Sequence, residues 1–181
     1  IMSNMINDWY SRLRKNSKKT AITRKKLSAP MRYLLDEGFF PRGATDQDKE
    51  FLDYGCGKGF DADFCGFAKY DPHFFPDKMM IQSKSWDIVV CNYVLNVIPD
   101  LTSRMAVIWD IQNTLVDDGV AYISIRNDKK NLNGETKIGT WQGFTPLNLP
   151  VVHKTSSYII YKLTKNDCLG TMFLQKENKD K

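Results

Sequence analysis

Short apolar runs alternate with amphipathic stretches along most of this chain, and glycines and aspartates punctuate the joins. Residues 50–54 are a mainly apolar run ending in Asp53-Tyr54, and Gly55, Gly57 and Gly59 follow at alternate positions, which predicts a strand feeding a tight turn. The stretch 60–65 leaves room for about two helical turns before Gly66. Lys69-Tyr70-Asp71-Pro72 then reads as a second strand end, and residues 74–81 cross onward with little room for a full strand and helix. Residues 86–90 are nearly continuously apolar, with Asp87 at the entry, as in a parallel strand covered on both faces. Leu101, Met105, Ile108, Ile111 and Leu115 recur at helical spacing, with Asp100 placed as N-cap and Gly119 beyond the end. Asp118-Gly119 is expected to turn into a strand over 120–125. Upstream, Ser28-Ala29-Pro30 opens a short helix that turns Met31, Leu34 and Leu35 inward, and Gly38 ends it. After a polar, turn-rich loop at 127–135, residues 158–163 and 170–174 read as two strands expected to pair antiparallel. The sum is an α/β fold: a compact doubly wound, mostly parallel sheet with an N-terminal helical cap and antiparallel C-terminal strands.

A length of 181 residues suits one domain with a single core. The expected division is a basic arm and helical cap over 1–38, a main domain over 39–175 and a frayed tail over 176–181. Charge sharpens the first boundary. Residues 1–33 hold nine basic side chains against Asp8, a net +8, and since the chain as a whole is +5 the remainder is −3. Arg12, Arg14, Lys15, Lys18, Lys19, Lys25 and Lys26 make a possible footprint for nucleic acid, and the competing reading is a solvated arm. Cys56, Cys65, Cys91 and Cys168 form no C-x-x-C pair, and His73 and His153 are the two histidines, so reduced thiols rather than a metal centre are expected. With no apolar run of about 18 residues, no membrane span is expected and a cytoplasmic location is.

The glycine turn carries the chemistry. Three glycines within five residues suggest main chain shaped around a ligand. A dinucleotide site expects G-x-G-x-x-G with pyrophosphate at a helix N-terminus, whereas here the spacing is G-x-G-x-G and Asp53 precedes it. That acid would repel pyrophosphate and suits a ligand bearing an ammonium, while Asp71 is placed for ribose hydroxyls.

At these residues the chain resembles class I S-adenosylmethionine-dependent methyltransferases, whose first motif is an acid followed by x-G-x-G-x-G. The resemblance continues through Tyr70-Asp71-Pro72, residues 86–98 and residues 118–126, four motifs in the family's order. A narrower likeness, carried by residues 20–30 and 93–98, is to methyltransferases found with DNA phosphorothioation systems and to short phage methyltransferases. The resemblance implies S-adenosylmethionine as cofactor and S-adenosylhomocysteine as product, with Arg24, Asp53, Gly55, Gly57, Gly59, Asp71 and Asn92 as cofactor contacts. Arg24 and Ser28 are candidates to reach the cofactor carboxylate from the cap, and the competing reading is a surface charge and a helix start. Many relatives hold adenine by an acid after a third strand; Asp77 is the weak candidate here, and Phe74 and Phe75 offer either adenine contact or core packing.

Methyl transfer needs positioning and water exclusion more than a strong base. Asn92 and Tyr93, at the carboxyl end of the 86–90 strand, are the candidates to orient an acceptor, and His153 is the candidate base. The Asn-Pro-Pro-Tyr motif of amino-methylating DNA enzymes is absent, and no proline precedes Cys91 as the cytosine-C5 nucleophile motif requires. The expected activity is methyl transfer to a nucleic-acid base or a small polar molecule. A non-catalytic module binding nucleic acid or a partner protein through the basic segment is the alternative, and cofactor breakdown a third.

Overall fold

The computed structural model describes residues 2–44, 48–128 and 133–173. Its strands are β1 (Phe51–Tyr54), β2 (Ala68–Tyr70), β3 (Trp86–Asn92), β4 (Leu115–Arg126), β5 (Asn133–Glu135), β6 (Trp141–Gly143), β7 (Val151–Lys154) and β8 (Tyr158–Thr164). Six of them form one sheet in the order β2-β1-β3-β4-β8-β7, and β5 pairs with β6 as a separate hairpin. The first four are mutually parallel; β8 lies antiparallel to β4 and β7 antiparallel to β8. The helices are α1 (Met2–Thr20), α2 (Ala29–Asp36), α3 (Phe60–Cys65), α4 (Lys78–Ser83), α5 (Leu101–Thr114) and α6 (Leu169–Met172).

Side-chain alternation along the central strands builds two cores. Val89 and Cys91 of β3, Ala121, Ile123 and Ile125 of β4, and Ile159, Tyr161 and Leu163 of β8 pack with Leu13, Ile81, Ile108, Ile111 and Met172 from α1, α4, α5 and α6. The intervening Val90, Tyr122, Tyr158 and Ile160 pack with Met31, Leu34 and Leu35 of α2 and Ala62 and Cys65 of α3. Helices therefore cover both faces, and the sheet is doubly wound with antiparallel closure, as the strand and helix rhythm predicts.

Several joins follow the expected chemistry. The Ser28 hydroxyl accepts from the Met31 N–H at 3.4 Å at the start of α2, and Asp100 accepts from the Ser103 N–H at 2.9 Å at the start of α5. Asp77, the weak adenine candidate, caps α4 by accepting from the Met80 N–H at 2.9 Å. No strand lies between β2 and β3 among the described residues; α4 makes the whole crossover.

Other joins differ from expectation. Residues 169–172 are helical, because Leu169, Met172 and Phe173 fall at i, i+3 and i+4 and so share one helix face against the core. Leu174 lies outside the described residues, as does the tail 176–181. Besides β4, the antiparallel partner of β8 is accordingly the preceding β7. Asp118-Gly119 lies within β4 rather than before it: Leu115 pairs with Trp86 and Val120 with Ile88, so surplus residues are accommodated as an irregularity in the ladder. Leu101 is 48% exposed at the first turn of α5 and takes no part in its buried stripe. The basic segment is not a plain arm: Met2–Thr20 is a helix docked through Leu13. From Tyr10 onward its inward positions are Tyr10, Leu13, Asn16, Ser17 and Thr20, while in the sequence Met2, Met5, Ile6, Trp9 and Leu13 stand at helical spacing, so the apolar pattern does carry this helix. No helix among the described residues is long and apolar enough to cross a membrane.

Candidate active site

The turn after β1 holds Gly55, Gly57 and Gly59 at φ of 80°, 56° and 86°, conformations that side-chain-bearing residues rarely adopt. The space around them is also taken. A Cβ on Gly55 would overlap Val94 Cγ2, one on Gly57 would meet Ala21 Cβ at 3.3 Å, and one on Gly59 would meet Lys69 Cδ at 2.7 Å. The main-chain N–H groups of the turn point inward: Gly55 and Cys56 donate to the Tyr70 carbonyl at 2.7 and 3.0 Å, Gly57 to Asp71 Oδ2 at 3.1 Å, and Gly59 to the Cys56 carbonyl at 3.0 Å. These groups are not a phosphate cradle, in keeping with the acid that precedes them.

Asp71 is the hub of this arrangement. Its carboxylate accepts from the Ser17 hydroxyl at 2.7 and 2.8 Å and from the N–H groups of Gly57, His73 and Phe74. It is 2% exposed and is not on the wall of the main cavity. Where the strand-end acid reads from sequence as a ribose ligand, the structure gives its oxygens to the protein, and it locks α1 against the glycine turn.

Asp53 stands in contrast. It is buried at the end of β1, lines a cavity of about 730 Å³, and accepts no hydrogen bond among the described residues. Burial, then the charges of Asp61 and Asp71, push its pKa well above the usual carboxylate value, and Arg24 pulls it back in part. Arg24, Gly55, Gly57, Asn92 and Tyr93 line the same cavity. Gly59 does not; it packs against Lys69 and Phe75 and caps α3. Phe74 meets His73 edge-on with centroids 4.7 Å apart, and Lys69 Nζ lies 4.6 Å from the centre of the Phe75 ring.

At the end of β3, the Asn92 Oδ1 accepts from the Ser124 hydroxyl at 2.9 Å, which fixes the amide. Tyr93 has φ of 60°, a strained conformation for an aromatic residue, and its N–H donates to the Ser124 carbonyl at 3.0 Å. Burial pushes its phenol up to about 12, with Arg24 and Arg126 opposing. The Arg24 guanidinium lies 6.0 Å from the centre of the Tyr93 ring. His153 is not part of this group. It sits on the edge strand β7, stacked on Tyr33 with centroids 3.8 Å apart, and does not line the cavity, because β7 pairs with β8 on the far side of the sheet from β1. Ser28 is likewise withdrawn: it is 2% exposed and its hydroxyl donates to Asp61 Oδ2 at 2.5 Å.

The cavity also holds residues that sequence reading does not single out. Asn96 and Gln142 line it, and Asn96 Nδ2 donates to Gln142 Oε1 at 3.2 Å. Asn96 is a lone amide within the apolar run 94–98, a signal of a buried polar group. Gln142 arrives on the β5–β6 hairpin, whose Thr136, Lys137, Ile138 and Thr140 overhang the cavity from a segment just past the loop expected at 127–135, to which the sequence reading assigns no element. Among the described residues, no group of three or more histidine, cysteine or acidic side chains is placed to share a metal.

No protein-family model matches the chain, and no curated protein matches it. Among solved structures, it is similar to a TehB-like SAM-dependent methyltransferase from Corynebacterium glutamicum, with 16% identity, a TM-score of 0.47, and 88% of this chain and 97% of that one covered. It is similar also to the N-methyltransferase NodS from Bradyrhizobium japonicum bound to S-adenosyl-L-homocysteine, with 12% identity, a TM-score of 0.47, and 85% and 96% covered. A third is a DhpI complex with SAH, with 11% identity, a TM-score of 0.44, and 86% and 92% covered.

Proposed function

We propose that this chain is an S-adenosylmethionine-dependent methyltransferase. The observation that carries the reading is Asp53, a buried carboxylate without a hydrogen-bond donor among the described residues, facing a nucleoside-sized cavity beside a three-glycine turn. An uncompensated buried acid calls for a cation. The residues fit the cofactor: Asp53 takes its ammonium, Gly55 and Gly57 allow it close to the main chain, and Arg24 is placed on the same cavity for its carboxylate.

When bound, S-adenosylmethionine supplies an electrophilic methyl group on sulfur. The chain's own part is to orient an acceptor and exclude water. Tyr93 stays protonated at neutral pH with its phenol pushed up to about 12, so it donates a hydrogen bond rather than removing a proton. Asn92, steadied by Ser124, offers its amide Nδ2 beside it; the contact this nitrogen makes is a weak one, to Met31 Sδ at 3.7 Å.

Calorimetry with S-adenosylhomocysteine tests the reading. Wild-type protein is expected to bind, and Gly57→Val to lose the affinity, since a branched side chain there faces both a φ of 56° and Ala21. Unchanged affinity in the variant, or a wild-type protein that does not bind, removes the proposal.

A further inference from the structure

Arg12, Lys15 and Lys19 fall at i, i+3 and i+7 on α1, so they form one stripe along its flank. That stripe is one wall of a groove of about 300 Å³, and Trp141 and Thr140 of the β5–β6 hairpin form the facing wall. Lys19 and Thr140 line both this groove and the main cavity, so the two are continuous. Arg12 is shared with Asp8 at 3.6 Å and Asp100 at 3.8 Å, and Glu135 also borders the groove. Lys15, Lys19 and, at the cavity mouth, Lys137 have no ion-pair partner among the described residues. Three ammonium groups without an ion-pair partner among the described residues thus follow a path that ends at the glycine turn.

The inner end of the path carries a second signal. With Gln142 Oε1 taken by Asn96, no hydrogen bond among the described residues uses Gln142 Nε2, and Asn96 Oδ1 is buried with no partner among them. An unsatisfied buried amide is unusual in a folded protein and marks a polar ligand or water. A planar group bearing an acceptor answers the Gln142 Nε2 on the cavity wall.

Resting on the methyltransferase reading, we infer that the acceptor is a nucleobase of single-stranded nucleic acid, whose phosphates follow Arg12, Lys15 and Lys19 while the base enters the cavity past Gln142. A strand is required because a base held in a duplex stack cannot reach a site enclosed by α1 and the hairpin. Methyl transfer then forms one bond from the acceptor atom to the methyl carbon as the sulfur–carbon bond breaks. The sulfur keeps the electron pair, and any proton on the acceptor leaves to solvent.

Fluorescence anisotropy tests this with a labelled single-stranded oligonucleotide of about 12 nucleotides, its duplex, and saturating S-adenosylhomocysteine. At about 150 mM salt, where charges farther apart than about 8 Å are screened, wild-type protein is expected to prefer the single strand. Lys15→Glu is expected to weaken it about tenfold and to flatten the salt slope by about 0.7. Arg32→Glu, the same sign of change on α2 at the other face of the sheet, is expected to change it less than about twofold. Equal losses in both variants, or equal affinity for duplex and single strand, overturn the inference. Calorimetry of the same samples keeps the two readings apart. A wild-type protein that binds the oligonucleotide with this pattern but not S-adenosylhomocysteine sinks the cofactor reading and leaves the groove's ligand standing.

Discussion

Asp53 meets opposite demands from the fold and from a cationic ligand. Burial first, and then Asp61 and Asp71, raise its pKa in the folded protein, so the folded state holds this proton to higher pH than the unfolded chain does. The group's contribution to stability is therefore most favourable at low pH and declines as pH rises from the unfolded value through the raised folded one. A ligand ammonium acts the other way and pulls the pKa down. Binding then releases protons, and affinity climbs as pH rises through the same window. Calorimetry of S-adenosylhomocysteine in buffers of different ionisation enthalpy is expected to show that release, and affinity independent of pH would remove Asp53 from the ammonium site. Asp53→Asn is expected to raise the melting temperature at neutral pH, by about 2–4 °C per kcal/mol recovered. It should also weaken ligand binding about tenfold or more, as when one partner of a buried charge pair is lost.

Among the elements, α1 matters most to the site. Ser17 reaches both oxygens of Asp71, Asn16 Nδ2 donates to the Val97 carbonyl at 2.9 Å, and Ala21 abuts Gly57. Ser17→Ala removes one donor from a buried carboxylate that keeps three others, a loss of about 1.5–3 kcal/mol. Hydrogen exchange is expected to show faster exchange across α1 with little change in β3 and β4, as in local opening. Uniform acceleration through the sheet would mean that α1 is integral to the global unfolding unit. The sequence made the glycine turn, the α2 cap and the α5 cap legible, because each depends on residues a few positions apart. Asp71 was legible as an important acid but not in its role, since Ser17 is 54 residues away. The hairpin and α6 escaped for a different reason. Three-residue strands and a four-residue helix carry too little periodicity to be told apart from loop and strand. His153 was misplaced because strand order, not chain position, decides which strand ends border the cavity.

Across the whole molecule, stability rests on the two cores that the sheet divides. Ile123 lies on the central strand β4 and is fully buried, whereas Trp109 on α5 is 57% exposed. Ile123→Ala is expected to cost about 2–5 kcal/mol and Trp109→Ala about 0.5 kcal/mol or less, read from urea unfolding midpoints. Similar shifts in the two variants would mean that the outer face of α5 is covered in solution. The docking of α1 has a consequence for the order of assembly. Its partners Asp71 and Val97 follow Ser17 and Asn16 by 54 and 81 residues, so α1 lacks its first anchor until Asp71 is made and its second until Val97 is made. At about 5–20 residues per second that delay is roughly 4–16 seconds. A nascent chain passes through a stage in which the glycine turn is made while α1 still lacks both anchors, and the hairpin wall of the cavity, which carries Gln142, is made later still.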